Sequence, residues 1–408
     1  MLVKEESLRG YNPRVDFDIA IIGGGLAGAS LAAALAESGR RLALIERKAP
    51  AAPDPEWDSR VYALTPASIA FLDRIGAWRC LEAARVTPIY AMRVFGDDGS
   101  SRLDFSAYES GVLQLAATVE SGRLHHALWQ GLERQRNVSL LCPAVPSELC
   151  RREDRVEIGL EDGNVVTAKL AVGADGIDSW ARRAAGIEAR GASYAQLGIV
   201  GNFACARAHC HIAYQWFRRD GVLAYLPLPD RRVSMVWSTR EAHARELLAL
   251  TPAALCARVS EAGEEALGAL EPLTPPAAFP LSCMFADRMA QGRIALIGDA
   301  AHVVHPLAGQ GVNLGLGDAH SLADLLRGAP DPGDRLLLRR YERARAEDIL
   351  ALRWVTDGLF RLFDANHRVA VRIRNFGLNL TNSNPVIKTL LARRAMGMGG
   401  GLRHKEPS

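Results

Sequence analysis

Short apolar runs are the leading pattern in the first part of the chain, and a glycine-rich turn follows the first of them. Residues 17–22 and 41–45 are two such runs, and their partly β-branched content predicts buried strands. Between them, Leu26, Leu31 and Leu35 recur among alanines at a spacing typical of a helix. A strand, a helix and a second strand over ~30 residues predict a βαβ unit with parallel strands.

Helical and strand-like patterns continue along the rest of the chain. They predict helices over 66–78 and 121–134, hairpins over 138–172, a largely antiparallel sheet over 194–238, a strand over 293–300, a helix near 311–327 and a helical final third. The proline-rich stretch 271–280 is predicted to be a crossing between two domains.

Composition and charge exclude several classes of protein. The chain has 408 residues, 49% hydrophobic and 23% charged, which is typical of a globular protein with two domains or one enlarged domain. The net charge is only +3, and no basic face is concentrated in the first 300 residues, so nucleic acid is not an expected partner. Seven cysteines without a C-x-x-C pair indicate a reducing compartment rather than a disulfide framework.

The sequence predicts no membrane-spanning segment and leaves contact with a membrane surface open. No run of 18 apolar residues predicts a spanning helix, and the first ten residues lack the apolar centre of a secretory signal, so we expect a cytoplasmic protein. From Arg339 to Lys405 the chain has fourteen Lys and Arg against five Asp and Glu, with an apolar stripe over 369–380. This segment is either a basic helix packed on the body, which we favour, or an interfacial helix that contacts anionic lipid.

The first predicted strand leads into a phosphate-binding motif. Gly23-Gly24-Gly25-Leu26-Ala27-Gly28 fits G-x-G-x-x-G: Gly23 for a tight turn, Gly25 for approach of a pyrophosphate and Gly28 for close helix packing. Glu46 ends the second strand, where an acidic side chain can bind a ribose hydroxyl. The motif fits FAD and NAD equally and disfavours the 2′-phosphate of NADP.

Two further motifs each follow an apolar run. One is GADGIDS over 173–179, with Arg182 beyond it; the other is GDAAH over 298–302, continued by HPLAGQGVNLG over 305–315. Asp299 stands at a strand end, where it can bind a polyol hydroxyl. The backbone N–H groups of Gly309 and Gly311 open a helix and suit the N1–C2=O edge of a flavin, since a helix N-terminus stabilises negative charge.

The three motifs together resemble those of the single-component flavin aromatic hydroxylases, the class A flavoprotein monooxygenases of the para-hydroxybenzoate hydroxylase fold. The stretch HPLAGQGVNLGLGD resembles one branch, the FAD-dependent polyprenylphenol hydroxylases of ubiquinone biosynthesis. Matching stretches are DSRVYALTPAS (58–68), LAATVES (115–121), AYQWF (213–217), LAYLPL (223–228) and 377–397, and the resemblance spans residues 16–397.

The resemblance implies an α/β chain of the two-domain α+β kind. A Rossmann-like FAD-binding domain would comprise 1–80, 108–190 and 287–345. An interleaved antiparallel-sheet substrate domain would comprise 81–107 and 191–286, and a helical C-terminal region 346–408.

The resemblance also implies the site residues. Glu46 and the glycine motif would hold the ADP half of FAD, Asp175 would act near the pyrophosphate and in reductant docking, and Asp299 would bind the ribityl chain. Pro306 would orient the phenol as the residue nearest catalysis. The full cofactor-binding set is Gly23, Gly25, Leu26, Ala27, Gly28, Glu46, Arg47, Arg60, Val145, Asp175, Asp299, Gly309, Gln310, Gly311, Val312 and Asn313.

The implied activity is hydroxylation of a polyprenylated phenol or quinol ring through a flavin C4a-hydroperoxide. The expected partners are a lipid-like aromatic substrate, O2, a membrane surface and other quinone-biosynthesis enzymes. NAD(P)H or a protein would donate electrons transiently, because the chain has no second dinucleotide fingerprint. Two alternatives stay open: a hydroxylase of a soluble aromatic, and a non-catalytic flavoprotein subunit of a biosynthetic complex.

Several residues depart from the family pattern or have simpler interpretations. Gln215 and Trp216 stand where the family has an acidic and then a basic residue, so the ring position attacked stays open. His302 and His305 lack further ligands at metal-site spacing, so we predict no metal site. The pair at 125–126 is predicted to lie on a helix surface, and residue 123 is a weak candidate for a flavin-loop contact.

Overall fold

The computed structural model describes residues 17–98, 100–304 and 311–364, with side chains described up to residue 353. The strands are β1 (Phe17–Ile22), β2 (Leu42–Ile45), β3 (Val61–Leu64), β4 (Thr87–Ile89), β5 (Ala91–Phe95), β6 (Arg102–Ser106), β7 (Ala116–Glu120), β8 (Val138–Leu141), β9 (Pro146–Arg151), β10 (Val156–Leu160), β11 (Val165–Gly173), β12 (Ala189–Cys205), β13 (Ile212–Arg218), β14 (Gly221–Leu228), β15 (Arg232–Arg240), β16 (Leu270–Pro272), β17 (Ala277–Ala286), β18 (Ala290–Gln291), β19 (Ile294–Leu296) and β20 (His302–Val303). The helices are α1 (Leu26–Ala34), α2 (Pro66–Arg74), α3 (Ala107–Ser110), α4 (Ser121–Glu133), α5 (Trp180–Ala184), α6 (Glu241–Leu248), α7 (Pro252–Ala262), α8 (Gly311–Arg327) and α9 (Arg335–Asp364).

A mainly parallel sheet carries the βαβ unit. Its central order is β18-β19-β11-β1-β2-β8, with β1 parallel to both β2 and β11, and β10 and β9 added antiparallel beyond β11. The strands β1 and β2 are largely buried, and α1, α4 and α8 contribute to the same core. Buried apolar strands under crossover helices are the arrangement that parallel sheets require. The predicted α/β architecture is confirmed.

A nine-stranded, largely antiparallel sheet forms the second layer. Its order is β20-β17-β12-β15-β14-β13-β5-β6, and β16 also pairs with β12. One face packs against α6 and α7 through residues such as Met235, Trp237 and Leu247. We call the opposite face of this sheet the open face. A small separate sheet, β3-β7-β4, contacts β14, where Thr118 Oγ1 in β7 donates to the Pro227 carbonyl at 2.6 Å.

The predicted domain crossing at 271–280 is wrong. Residues 271–272 end β16 and residues 277–280 begin β17, and both strands pair with β12, so the segment is a connection within one sheet. The prolines suggested a linker, because proline cannot donate to a strand ladder. Pro280 is tolerated because β12 pairs with β17 on one side, whereas on the other side, within the described residues, β20 pairs only with Met284 and Phe285.

The parallel strands end together and so gather the three motifs. In the register of the sheet, Ile22 lies beside Ile45 and Gly173, and Gly173 lies beside Leu296. The residues that follow β1, β2, β11 and β19 therefore share one edge, which we call the motif edge. Ligands of open α/β sheets bind beyond the carboxyl ends of the strands.

Among the described helices, none combines the length and the apolar character needed to cross a bilayer.

Candidate cofactor and active site

Two glycines of the first motif form a turn that no side chain fits. Gly23 has φ +103°, and a Cβ there would lie 2.4 Å from the Ala174 carbonyl oxygen. A Cβ on Gly28 would lie 2.0 Å from the Gly23 carbonyl oxygen, so α1 packs directly on the turn. Gly25 differs, because no atom lies within 4 Å of its Cβ position. It also precedes α1 without a side-chain cap, so the N-terminus of α1 faces open space.

Glu46 lies beside this turn. Its Oε2 accepts a hydrogen bond from the Gly24 N–H at 2.6 Å, and its Oε1 accepts one from the Lys48 N–H at 3.1 Å. A carboxylate has about four acceptor positions, so these two bonds leave capacity for ribose hydroxyls. Arg47, the next residue, is exposed.

The prediction that the histidines of α4 form a surface pair is wrong for His125. His125 Nε2 lies 2.7 Å from the Gly24 carbonyl oxygen, and Trp129 Nε1 donates to the same oxygen at 2.8 Å. The two side chains lie on one face of α4 because they are four residues apart. That spacing was visible in the sequence, but the carbonyl it meets is about a hundred residues away along the chain.

The middle motif is tied together by its own charged residues. Asp175 accepts from Ser179 Oγ at 2.5 Å and from the Ala181 N–H at 2.9 Å, so its side chain caps α5. Arg182 donates to the carbonyls of Ile177 and Ala300, at 2.8 and 2.9 Å, and its burial lowers its pKa. Arg182 therefore links the second motif to the third. The role of Asp175 in reductant docking stays a prediction.

Asp299 and Arg60 approach each other from different elements. Solvent reaches the Asp299 side chain, yet crowding of its carboxyl group by protein atoms raises its pKa. The charges of His302 and then Arg60 act against this rise. The Arg60 guanidinium carbon also lies 5.9 Å from the ring centres of Tyr62 and Phe279. An accessible carboxyl group in a crowded setting is what binding of a polyol chain requires.

A buried network of charged side chains, which the sequence analysis did not predict, bonds the backbone next to Asp299. Asp318 accepts from the Gly298 N–H at 2.9 Å and from Arg345 Nε at 2.7 Å, and it pairs with His302 Nε2 at 2.6 Å. Burial alone would raise the pKa of Asp318, but the effects of His302 and Arg345 outweigh that of burial, so the pKa is lowered. Gly317 makes room, because a Cβ there would lie 3.0 Å from the Arg345 guanidinium.

This network also gives His302 a partner other than a metal ion. Across residues 17–98, 100–304 and 311–353, no group of His, Cys, Asp and Glu side chains is arranged to hold one.

Three further predicted residues lie near these elements. A Cβ on Gly311, at the start of α8, would meet no atom of the described residues within 4 Å, and Val312 beside it is partly buried. The Asn313 side chain accepts from the Thr65 N–H and donates to the Ala63 carbonyl, both at 2.9 Å, so it holds α2 against α8. Pro306, Gly309 and Gln310 lie outside the described residues, as does His305.

Val145 and Arg123 are two other residues of the predicted site whose contacts the structure describes. Val145 follows β8, and its carbonyl accepts from the Glu161 N–H at 2.9 Å, while the preceding Ala144 donates to the Glu46 carbonyl at 2.8 Å. Val145 therefore lies near Glu46. Arg123 donates to Glu120 at 3.0 Å and to Glu82 at 2.9 Å, so its guanidinium is engaged in ion pairs.

The residues at the motif edge fit FAD. The Cβ positions of Gly25 and Gly311 open onto free space, as close approach of a pyrophosphate and of a flavin ring requires. Glu46 and Asp299 supply carboxylates for hydroxyl groups, and Leu26 and Ala27 line the first turn of α1.

Comparison with known proteins gives consistent results. Residues 16–353 match a family model described as FAD binding domain. The chain is 35% identical to the 3-demethoxyubiquinol 3-hydroxylase of Escherichia coli, covering 93% of this chain and 98% of the relative. It is 38% identical to the ubiquinone hydroxylase UbiL of Rhodospirillum rubrum, covering 93% and 89%. It is 31% identical to the human ubiquinone biosynthesis monooxygenase COQ6, covering 92% of each.

Solved structures share the fold. The probable FAD-dependent monooxygenase PqsL of Pseudomonas aeruginosa has a TM-score of 0.75 at 26% identity, covering 89% of this chain and 99% of that one. HpxO of Klebsiella pneumoniae, crystallised with FAD and uric acid, has a TM-score of 0.73 at 19% identity, covering 94% and 98%. At that identity, HpxO supports the fold alone.

Proposed function

We propose that this chain, which belongs to the FAD-dependent hydroxylases of ubiquinone biosynthesis, hydroxylates an aromatic ring. The ring is that of a polyprenylated phenol or quinol. Family membership follows from the FAD-binding match over residues 16–353 and from relatives more than 30% identical over nearly the whole chain. The protein is an FAD-dependent monooxygenase. The observation that carries the proposal is the full-length similarity to relatives named for ubiquinone hydroxylation.

The motif edge would hold the cofactor. FAD, when bound, supplies the redox chemistry that activates O2 and delivers one oxygen atom to an aromatic ring. In our proposal the N-terminus of α1 binds the pyrophosphate, since its free N–H groups and its dipole favour negative charge. Glu46 binds the adenosine ribose and Asp299 the ribityl hydroxyls. Support comes from the open Cβ position of Gly25 and the accessible carboxyl group of Asp299.

Arg60 would place a positive charge at the junction of cofactor and substrate. Its guanidinium approaches Asp299 and lies over the rings of Tyr62 and Phe279. A cation there favours the negative charge of a phenolate or of a reduced flavin. Orientation of the phenol by Pro306 is a further part of the proposal.

The open face of the nine-stranded sheet would take the substrate. Successive residues of a strand alternate between faces, so Asn202, Ser234 and Ser238 point away from α6 and α7. Asn202 Nδ2 donates to the Asp58 carbonyl at 2.8 Å, and Asp58 lies two residues before Arg60. This hydrogen bond joins the open face to the proposed cofactor side. An aromatic ring held between the open face and the cofactor would be shielded from water, which an activated oxygen species requires.

Three further parts of the proposal concern partners. NAD(P)H or a protein donor would reduce the flavin without a dedicated nucleotide domain. The enzyme would work at the inner face of a membrane, with other quinone-biosynthesis enzymes, because its substrate is a lipid. Vesicle co-sedimentation of the full chain against a truncation before Arg368 tests the basic C-terminal segment, and equal sedimentation would remove its role.

The primary test is mass spectrometry of quinone lipids in a strain that lacks this gene. We expect ubiquinone to fall and an oxygen-deficient polyprenyl intermediate to accumulate, and the structure of that intermediate names the ring carbon. Complementation should fail with Gly25→Ala and succeed with Gly131→Ala, a matched glycine in α4 whose Cβ position is also free. An unchanged quinone pool favours a soluble aromatic substrate. Flavin binding without O2 consumption on any substrate favours a non-catalytic subunit.

A further inference from the structure

Two apolar side chains of one loop are exposed far beyond the others. Tyr108 is 93% exposed and Leu113 is 96% exposed, whereas the other exposed large hydrophobic residues among those described lie between 36% and 62%. Both belong to the segment between β6 and β7, which we call the 107–115 loop. Single exposed apolar residues are ordinary, but two nearly complete exposures five residues apart form an apolar tip.

The 107–115 loop holds these side chains outward by a bonded backbone. The Ala107 N–H donates to the Tyr90 carbonyl and the Leu115 N–H to the Ile89 carbonyl, both at 2.8 Å, so both ends of the loop are anchored. Within it, the Val112 N–H donates to the Ala107 carbonyl at 3.0 Å. Such a loop exposes its apolar side chains without losing backbone bonds.

The loop lies at one end of the nine-stranded sheet. In the register, Ser106 lies beside Ala91 and Ala91 beside Ile212, so the loops before β5, after β6 and before β13 share that end. The half-exposed Tyr90 lies there, and its ring is 5.1 Å from that of His211.

Charged groups at this end carry both signs. The exposed Arg207 and Arg231 donate to the carbonyls of Glu265 and Ala206, at 3.1 and 3.3 Å. Glu109 within the loop and Asp230 are acidic. The apolar tip, rather than a net charge, therefore distinguishes this end.

The strand that follows the loop leads toward the cofactor side. β7 begins just after Leu115, and beyond its other end the Ser121 N–H donates to the Arg60 carbonyl at 2.9 Å. Six residues of extended chain span ~20 Å. The C-terminal end of the loop is therefore about one strand length from the Arg60 backbone, a distance that an extended isoprenoid tail can follow.

We propose that the 107–115 loop is a lipid-surface contact that inserts Tyr108 and Leu113 into the membrane interface. The inference rests on the proposed function, because a lipid substrate gives the loop a reason to meet a bilayer. A bilayer accepts a protruding apolar tip of any shape, whereas a protein partner requires a complementary pocket. Tyrosine suits the headgroup level, with its ring in the apolar layer and its hydroxyl in water.

Flotation of the full-length, FAD-loaded protein on phosphatidylcholine vesicles tests the proposal. Neutral lipid removes the electrostatic attraction that the basic C-terminal segment would have for anionic lipid. We expect Tyr108→Ser/Leu113→Ser to lower the partition coefficient about tenfold or more. The matched control, Leu336→Ser/Leu350→Ser, removes side chains 62% and 51% exposed on α9 and should leave it unchanged. Tyr108→Trp should strengthen binding.

The outcomes separate the lipid contact from the proposed function. Equal flotation of the double variant and the parent, or no flotation of the parent, overturns the lipid contact and leaves a protein partner as the alternative. Hydroxylation of a short-tailed soluble phenol should be equal in both proteins, and that of a long-tailed phenol in vesicles should fall in the double variant. A parent that floats but hydroxylates neither phenol contradicts the proposed function alone.

Discussion

The motif edge of the parallel sheet and the open face of the nine-stranded sheet both contain buried polar side chains. The two regions differ in how completely these side chains are hydrogen-bonded. At the motif edge, Asp318 bonds three groups and Arg182 bonds two. On the open face, the Asn202 Oδ1 and Ser234 Oγ atoms lie opposite each other, are buried and make no hydrogen bond in the described part of the chain. The motif edge is therefore preorganised, and the open face keeps polar capacity in reserve.

The largest effect is expected at the glycine turn. Gly28→Ala places a Cβ 2.0 Å from a backbone oxygen, so we expect the free energy of unfolding to fall by about 5 kcal/mol or more, with FAD binding lost. Gly25→Ala meets no protein atom, so the apoprotein should melt normally while FAD affinity falls at least tenfold. Thermal melting of the apoprotein and fluorescence titration with FAD measure both, with Gly131→Ala as the control. Normal FAD affinity in Gly25→Ala contradicts the proposed pyrophosphate site.

The second effect concerns the buried carboxylate behind Asp299. Asp318→Asn leaves the buried Arg345 without its counter-charge and removes the carboxylate partner of His302, so we expect a loss of about 3–5 kcal/mol at neutral pH by urea unfolding. Asp73→Asn, which breaks the exposed pair with Arg79, should cost far less. Equal losses in the two variants would show that burial does not increase the contribution of the Asp318 contacts to stability.

The same carboxylate gives a pH dependence with a defined sign. The pKa of folded Asp318 lies below its ordinary value of 3.8, so its stabilisation is present above pH 3.8 and is lost as pH falls through the folded pKa. The parent and Asp318→Asn should therefore approach each other in stability only in strong acid. Convergence near neutral pH would contradict this sign.

A matched pair of buried serines tests the comparison between the two regions directly. Ser179 at the motif edge bonds Asp175 and accepts from the Arg182 N–H at 2.9 Å, so Ser179→Ala should cost about 1–2 kcal/mol. The Ser234 hydroxyl on the open face makes no hydrogen bond to any described residue. Ser234→Ala should therefore change the free energy of unfolding by less than about 0.5 kcal/mol. Equal costs in denaturant unfolding would remove the distinction.

A small effect on stability, with a defined pH dependence, is expected at Asp299. The pKa of this carboxyl group is raised, so the stability it contributes is present below pH 3.8 and is lost as pH rises through the folded pKa. Asp299→Asn should therefore stabilise the apoprotein at neutral pH by less than about 1 kcal/mol, while weakening FAD. The gain should vanish in acid, and tighter FAD binding by the variant would contradict the ribityl role.

Much of the fold could be predicted because its signals are local. Strand β1, the glycine turn and α1 follow from apolar spacing and from positions where only glycine fits, as Gly23 and Gly28 show. The stretch 271–280 misled because proline marks a linker and an edge strand alike, and only the pairing with β12 separates them.

What the sequence by itself determined is the order of elements, the three motifs and the family to which they belong. Each depends on neighbouring residues, whose sterics and periodicity are legible along the chain. The tertiary structure alone decided which distant groups meet: His125 and Trp129 on the Gly24 carbonyl, and Arg345 on Asp318. It also decided that Tyr108 stays exposed. Such pairings and exposures depend on how whole elements pack, which no local pattern records.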